Sequence, residues 1–439
     1  MLKGKKAPAL AERRGADGFM KTVYGFFAAR RYWKQEDALR NAYEGLRRFL
    51  GCDEDGCALV VDGDGKVPSG DCLVAVPMSG AVQRDILNAA ERFSCAVVFA
   101  AYVRGNAPQA EAGEMLRCNA APTVMDCWAV LRRTHPRAEL ATSPAELQKA
   151  LKVFQAFHAV RGATLLRIGE TEPWVISGAR SPESYERRFG IRIQPVEQAE
   201  LAARYHAATP RQAEPYVGYF RKAARGMREP GPQDLEAAGR MASALLDLLQ
   251  GYGAQGAALA CFDLLRVGTT ACLGVSYVNE RTGMVAACEG DLDSAVTMLL
   301  MKGLTDTRLW MANPGLQPDG SVNFSHCTAP VRVQDGPVLP CILRSHHESG
   351  IGVSLQVQMP VGAVVTAGRV SDEARSITVH RGVVQEGPYE PACRTQMHVR
   401  LEDPAHYRAT ALGCHQVFAF EDISDELRRL GNLFGLNCL

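Results

Sequence analysis

Across residues 71–103, "DCLVAVPMSGAVQRDILNAAERFSCAVVFAAYV", an apolar run gives way to a turn at Pro77–Gly80, then to apolar positions at helical spacing, then to a second apolar run. Uninterrupted apolar runs of this length are typical of strands buried on both faces, so the segment predicts a strand–helix–strand unit and the parallel sheet it builds. After the polar stretch "THPRAELATSPAEL" the cycle restarts. A helix is expected from about Ala145, a strand at "ATLLRIG", a turn at "ETEPW", a helix near 181–189, a strand at "IRIQPV" and a helix from Gln198. A second α/β domain therefore begins near residue 150. Within it, "ARGMREPGPQ" reads as a loop before a long helix over Leu235–Leu249, followed by the strand "GAALACF".

Past residue 320 the texture changes. "SVNFSHC", "GVSLQVQM", "GAVVTAGRV", "SITVHRGVV" and "RTQMHVRL" are short β-branched segments separated by Gly, Pro and acidic turns, which predicts an antiparallel barrel or sandwich. Only "DISDELRRLGNLFG" near the end returns to helical periodicity.

Between these two textures lies "ACEGDLD" (287–293), acidic and flanked by the apolar runs Met284–Ala286 and Ala295–Met301. Leu292, Ala295, Val296, Leu299, Leu300 and Gly303 recur at helical spacing, so a helix starts close to Asp291, a favoured N-cap type. Glu289 then falls in the turn between a strand's carboxyl end and a helix start, the edge where open α/β sheets bind ligands. A carboxylate there serves chemistry or metal binding, or else joins the capping arrangement; the pattern leaves both open.

Composition narrows the field by exclusion. A chain of 439 residues has room for two or three domains, and 47% hydrophobic with 22% charged residues is ordinary for a globular protein. The net charge of +1 offers no field for nucleic acid or an anionic membrane. The N-terminal "MLKGKKAPALAERRG" is basic without the apolar centre of a signal peptide, and Cys95–Val103 is too short to span a bilayer, so a cytoplasmic protein is expected. Fourteen cysteines contain no CxxC, which argues against a zinc knuckle or redox dithiol. Cys95, Cys261, Cys272 and Cys288 sit in apolar runs as small hydrophobes. "CDEDGC" and "DGDG" read as surface turns. A GxxxxGK loop, a GxGxxG fingerprint behind the first strand and a GxSxG elbow are all missing, which removes nucleotide-dependent and serine-hydrolase chemistry.

"AACEGDLDSAVTMLL", "LWMANP", "SHCTAP", "HHESGIGVSLQ" and "LGCHQVF", in that order, together with "CLVAVPMSGAVQRDIL" and "LLRIGETEPW", resemble the L-fucose isomerase and L-arabinose isomerase family, particularly its shorter members. The resemblance covers most of residues 65–439. It implies two Rossmann-like α/β domains followed by a C-terminal antiparallel β-barrel, divided as 1–150, 151–310 and 311–439 with Glu289 in the second. It also implies a divalent metal, usually Mn2+, a sugar substrate interconverted between aldose and ketose, and a homo-oligomer, a trimer or hexamer whose site a neighbouring subunit completes. Carried over by motif, Glu289 is the metal-binding and acid/base carboxylate, and His326 and His415 are metal ligands. The remaining ligand position falls on Asn313, where the family places Asp or Glu. An amide lends a carbonyl oxygen to a hard cation but carries no proton at neutral pH.

Isomerisation through an enediol needs a base for the C2 proton, a group that moves protons between O1 and O2, and a Lewis acid. Glu289 suits the first role. Glu348, Asp291, His346 and His347 are the candidates for the second. His346 and His347 read as consecutive strand residues, which face opposite sides, so at most one of them points into a given site. Arg344, Arg369 and Arg394 lie in or near the matching segments and suit bidentate recognition of an anion, so the expected sugar carries a carboxylate, phosphate or sulfonate, unless these arginines simply pair with carboxylates. Arg344 and Arg394, with His346 and His347, are the expected substrate contacts. Two other functions are weighed: an aldolase-like carbon–carbon bond enzyme on a ketose, for which Lys302 is the one lysine in the motif region, and a sugar-binding or regulatory protein without turnover.

Overall fold

Cys72–Pro77 and Cys95–Phe99, the two apolar runs of the first strand–helix–strand unit, are neighbouring parallel strands in which every residue is buried. The computed structural model describes residues 19–178 and 181–439; the basic segment Met1–Gly15 lies outside them. The chain divides into two compact units, with the boundary between Ala159 and Val160.

In the first unit, strands Thr22–Ala28 (β1), Cys57–Val61 (β2), Cys72–Pro77 (β3), Cys95–Phe99 (β4) and Ala138–Ala141 (β5) form a wholly parallel sheet in the order β2-β1-β3-β4-β5. Helix Gln83–Ala90 returns the chain from β3 to β4 and buries Ile86, Ala89 and Ala90. Those side chains share a core with Leu73, Ala75, Ala96 and Val98. Burying apolar side chains on both faces of the strands is what the uninterrupted runs in the sequence require.

The second unit opens with another parallel sheet, Thr164–Ile168 (β6), Arg192–Val196 (β7), Gly256–Leu259 (β8) and Val285–Ala287 (β9), in the order β7-β6-β8-β9. Trp310–Leu316 (β10) and Val322–His326 (β11) begin the antiparallel part, and Cys341–Arg344 (β12) pairs with Ser354–Val357 (β13) as a separate ribbon. Val364–Ser371 (β14), Ser376–Gln385 (β15), Thr395–Leu401 (β16) and Gln416–Ala419 (β17) follow. The order β14-β17-β10-β11-β16-β15 closes on itself through the β14–β15 pairing, giving a six-stranded antiparallel barrel to which Asn437–Cys438 (β18) adds in parallel beside β15. The fold is thus mixed α/β, with Rossmann-like parallel units and a closed barrel; of the barrel and sandwich alternatives, the barrel is found.

Helix Leu292–Lys302 links the two halves of the second unit. Its residues Leu292–Met301 are all buried, because it packs on β8 and β9 on one side and on β14 and β17 on the other. The polar residues inside it are bonded: Thr297 Oγ1 donates to the Asp293 carbonyl at 2.6 Å and accepts from the Val370 N–H at 2.8 Å, tying helix to barrel. The N-terminus of this helix carries the acidic turn. Among the described residues no helix is long and apolar enough to cross a membrane.

Candidate metal centre

The helix starts where its sequence predicts, with Asp291 as N-cap accepting from the Ser294 N–H at 3.1 Å. The turn before it is unusual. Glu289 has φ +59° and Gly290 φ +61°, two consecutive left-handed residues, and such backbone strain gathers at functional positions. Only glycine fits at 290, since a Cβ there would lie 2.7 Å from the Glu170 carbonyl and 2.8 Å from Thr171 Cα. The loop after β6 braces this turn: Thr171 Oγ1 donates to the Gly290 carbonyl at 2.9 Å, and the Glu172 N–H donates to the Glu289 carbonyl at 3.0 Å.

So held, the Glu289 side chain meets two histidines from the barrel. His326 ends β11 and His415 immediately precedes β17. Their Nε2 atoms lie 3.7 and 3.3 Å from Glu289 Oε1, and one ligand atom from each of the three residues lies within 4.8 Å of the others. The outer nitrogens are fixed as well. His326 Nδ1 meets Thr328 Oγ1 at 3.0 Å, and His415 Nδ1 meets Asp291 Oδ2 at 2.8 Å. A histidine whose Nδ1 is tied in this way presents Nε2 for coordination.

Behind His415 lies a fully buried ionic network. Arg369, on β14, bonds Asp291 Oδ2 at 2.8 Å, the His415 carbonyl at 3.1 Å and Ser294 Oγ at 3.2 Å through Nη1, and Asp293 Oδ2 at 3.3 Å through Nη2. Asp293 also accepts from Tyr185 and Ser371 hydroxyls, both at 2.8 Å. Burial raises the Asp291 carboxyl's pKa, but Arg369 and His415 outweigh it and hold it below the usual range. For Glu289, likewise, burial works upward while the His326 and His415 imidazoles beside it bring the carboxyl below its ordinary value. His415 loses solvation by burial, yet its bonds to Asp291, Cys414 and Glu289 favour its proton. Burial, with the Asp291 charge beside it, pushes Asp293 up to about 7 against the pull of Arg369.

Glu289 Oε2 faces the other way and accepts from Trp174 Nε1 at 2.7 Å. Trp174 is 52% exposed and meets Phe262 edge-on at 4.9 Å, and Phe262 meets His346 edge-on at 5.6 Å. Sequence reasoning missed Trp174 and Phe262. The one signal for the tryptophan was its place in "ETEPW", a turn after a parallel strand.

The remaining expected site residues are distributed around this triad. Asn313 is half-buried on β10, in register with Ser325, the neighbour of His326; one residue earlier Ala312 pairs with Gln416, the neighbour of His415. The amide thus sits at the strand level of both histidines, without a hydrogen bond to either among the described residues. His346 and His347 lie in a turn after β12 and not in a strand, because Gly350 and Gly352 at positive φ and the His346 Nδ1–Ser349 Oγ contact at 3.0 Å reverse the chain. His346 is nearly buried; Glu348 is exposed at the same turn and is not brought into bonding contact with the triad. Arg344 is engaged by both oxygens of Glu229 and by Gln356. Arg394 bonds the Ser345 carbonyl at 2.9 Å and Ser345 Oγ at 3.1 Å. Lys302 closes the 11-residue helix that Asp291 opens, about 16 Å along the axis from the acidic turn.

An open cleft of about 560 Å³, lined by Arg225, Gln356, Gln358, Tyr389 and His398 among others, contains none of the triad. Among the described residues the triad is the group of His, Cys, Asp and Glu whose ligand atoms lie close enough together to hold one ion.

No protein-family model matches the chain. Among curated proteins, the sulfoquinovose isomerase of Alkalicoccus urumqiensis is 22% identical over 386 residues, which is 83% of this chain and 85% of that protein.

Proposed function

We propose that the protein is a metal-dependent aldose–ketose isomerase acting through an enediol on an anionic sugar of the sulfoquinovose kind, with manganese as its metal. The observation that carries this reading is the convergence of two imidazole Nε2 atoms on one oxygen of Glu289, while the other oxygen accepts from the half-exposed Trp174. The named relative supports the reaction class and the sulfonated sugar.

Two imidazoles and a carboxylate suit a first-row divalent cation, and the Asn313 amide oxygen is the proposed fourth donor. When bound, such a cation supplies Lewis acidity for the oxyanion that develops on the sugar. Asp291 and Thr328 hold the two imidazoles in the orientation that leaves Nε2 toward Glu289. Glu289 Oε2 takes the C2 proton of the aldose and returns it to C1 of the ketose. His346, with Nδ1 engaged by Ser349, offers Nε2 to a sugar hydroxyl, and Glu348 is the group proposed to move protons between O1 and O2. Of the three arginines, Arg344 is occupied by Glu229 and Arg369 by Asp291 and Asp293; Arg394, bonded through Nε and Nη2, keeps Nη1 for the anionic group. The aldolase-like and non-catalytic readings have no comparable support, and Lys302 is remote from the triad.

The test is metal analysis of purified protein, followed by incubation with sulfoquinovose, glucose and glucose 6-phosphate in deuterated water. The expected result is near-stoichiometric manganese and deuterium at C2 of sulfoquinovose with formation of its ketose, abolished by a chelator and by Glu289→Gln. Exchange with neutral glucose as fast as with sulfoquinovose removes the anionic substrate. Absence of both exchange and ketose formation in manganese-loaded protein removes the isomerase.

A further inference from the structure

Trp174 combines two properties that normally exclude each other. Half of it is exposed, yet its indole N–H makes a 2.7 Å bond to a nearly buried carboxylate. The backbone beneath it is anchored: Glu172 bonds the Glu289 carbonyl through its N–H, accepts from Val175 N–H at 3.0 Å, and takes the Phe262 N–H on its carboxylate at 3.2 Å. One buried residue therefore ties together the loop carrying Trp174, the segment carrying Phe262 and the turn carrying Glu289.

From this anchor a continuous series of contacts leads away from the triad. Trp174 meets Phe262 and Phe262 meets His346, both edge-to-face, and Ser345, adjacent to His346, is gripped by Arg394. One end of the series is a carboxylate beside two histidines, and the other is a guanidinium. Between them the surface is aromatic, suited to the C–H faces of a sugar, while its polar ends orient the molecule.

We propose that Trp174, Phe262 and His346 form the wall along which the substrate lies, its carbonyl end at Glu289 and its anionic end at Arg394, and that the Trp174 N–H holds on Glu289 Oε2 the place a substrate group takes over. This rests on the isomerase reading for the identity of the substrate. An indole nitrogen donates and never accepts. Its bond covers an oxygen that must accept the C2 proton, so the sugar displaces it. Trp174 is a positioning residue for Glu289 before the sugar arrives and part of the binding wall afterwards.

The experiment uses the manganese-loaded full chain with sulfoquinovose as probe, and reads both tryptophan emission and steady-state kinetics. Four tryptophans are present in the chain, so emission is compared between wild type and Trp174→Phe. Wild-type emission changes on saturation with sulfoquinovose, and Trp174→Phe loses that change while binding manganese as wild type does. Trp174→Ala raises KM by about 10-fold or more with a smaller change in kcat, the signature of lost substrate binding. Phe262→Leu, which leaves Trp174 and Glu289 in place, raises KM in the same direction and guards against a misfolded tryptophan variant. Wild-type KM in Trp174→Ala, or a sugar-induced emission change that survives in Trp174→Phe, overturns the proposal. If wild type shows the Trp174-dependent emission change without turnover, the wall stands and the isomerase reading falls; turnover with unperturbed emission gives the reverse.

Discussion

His415 and Asp291, 124 positions apart in sequence, are joined at 2.8 Å through the imidazole Nδ1, and the same aspartate oxygen accepts from Arg369 at 2.8 Å. The residue that caps the helix is thus also the one that sets the orientation of a histidine in the triad. Asp291 Oδ1 serves the backbone and Oδ2 serves the site.

Replacing Asp291 separates these roles. Asp291→Asn keeps the shape and an acceptor oxygen but removes the charge, so manganese affinity is expected to fall by about 10–100-fold while the helix still forms. Titration calorimetry with Mn2+ on chelator-treated protein measures this, with circular dichroism as the control for the helix. Unchanged affinity would mean that Asp291 only caps.

Arg369→Leu leaves Asp291 and Asp293 buried without their cation. Breaking a buried ion pair by removing one partner costs about 3–5 kcal/mol, so the urea midpoint is expected to fall steeply. Arg369→Lys recovers only part, because a single ammonium cannot reproduce the two-armed contact to both aspartates.

Gly290→Ala forces a Cβ against the Glu170 carbonyl in a left-handed conformation. The variant is expected to lose more than about 1 kcal/mol of stability and to bind manganese more weakly, since the turn that aims Glu289 must shift. Wild-type metal affinity with lowered stability would show that the turn relaxes without moving the carboxylate.

A pH dependence arises outside the site. Burial and the neighbouring His406 hold the His380 imidazole down to about 4, against an ordinary value of 6.5. Between those values the unfolded chain binds a proton that the folded chain refuses, so this group's contribution is complete above about 6.5 and is lost as pH falls toward about 4, on the order of 3 kcal/mol. His380→Phe should flatten the melting temperature profile over that interval. An unchanged profile would assign the acid sensitivity elsewhere.

Much of the scaffold was legible because burial writes itself into local pattern. Strands covered on both faces must be apolar without interruption, which marks β3 and β4, and the change to short β-branched segments announces the antiparallel part. The N-cap type at Asp291, followed by helical spacing, placed Glu289 between a strand and a helix. His326 and His415 came from family-like motifs, and those are the two histidines found beside Glu289. The histidine pair 346–347 was misjudged as strand because an apolar β12 leads into it; the glycines after it turn the chain instead.

The sequence by itself marked the first strand–helix–strand unit, the helix that starts at Asp291 and the antiparallel region, and that a carboxylate follows one of the strands, because period and burial are properties of neighbours along the chain. Tertiary structure alone decided the partners. Trp174 reaches Glu289 across 115 positions and Arg369 reaches Asp291 across 78, through loops whose spacing carries no trace of the contact. It also decided that Arg369, which the sequence offered to a substrate, is bonded to two buried aspartates. A guanidinium with 0% exposure is available to them and to no ligand, and that burial is set by the packing of β14 on the central helix.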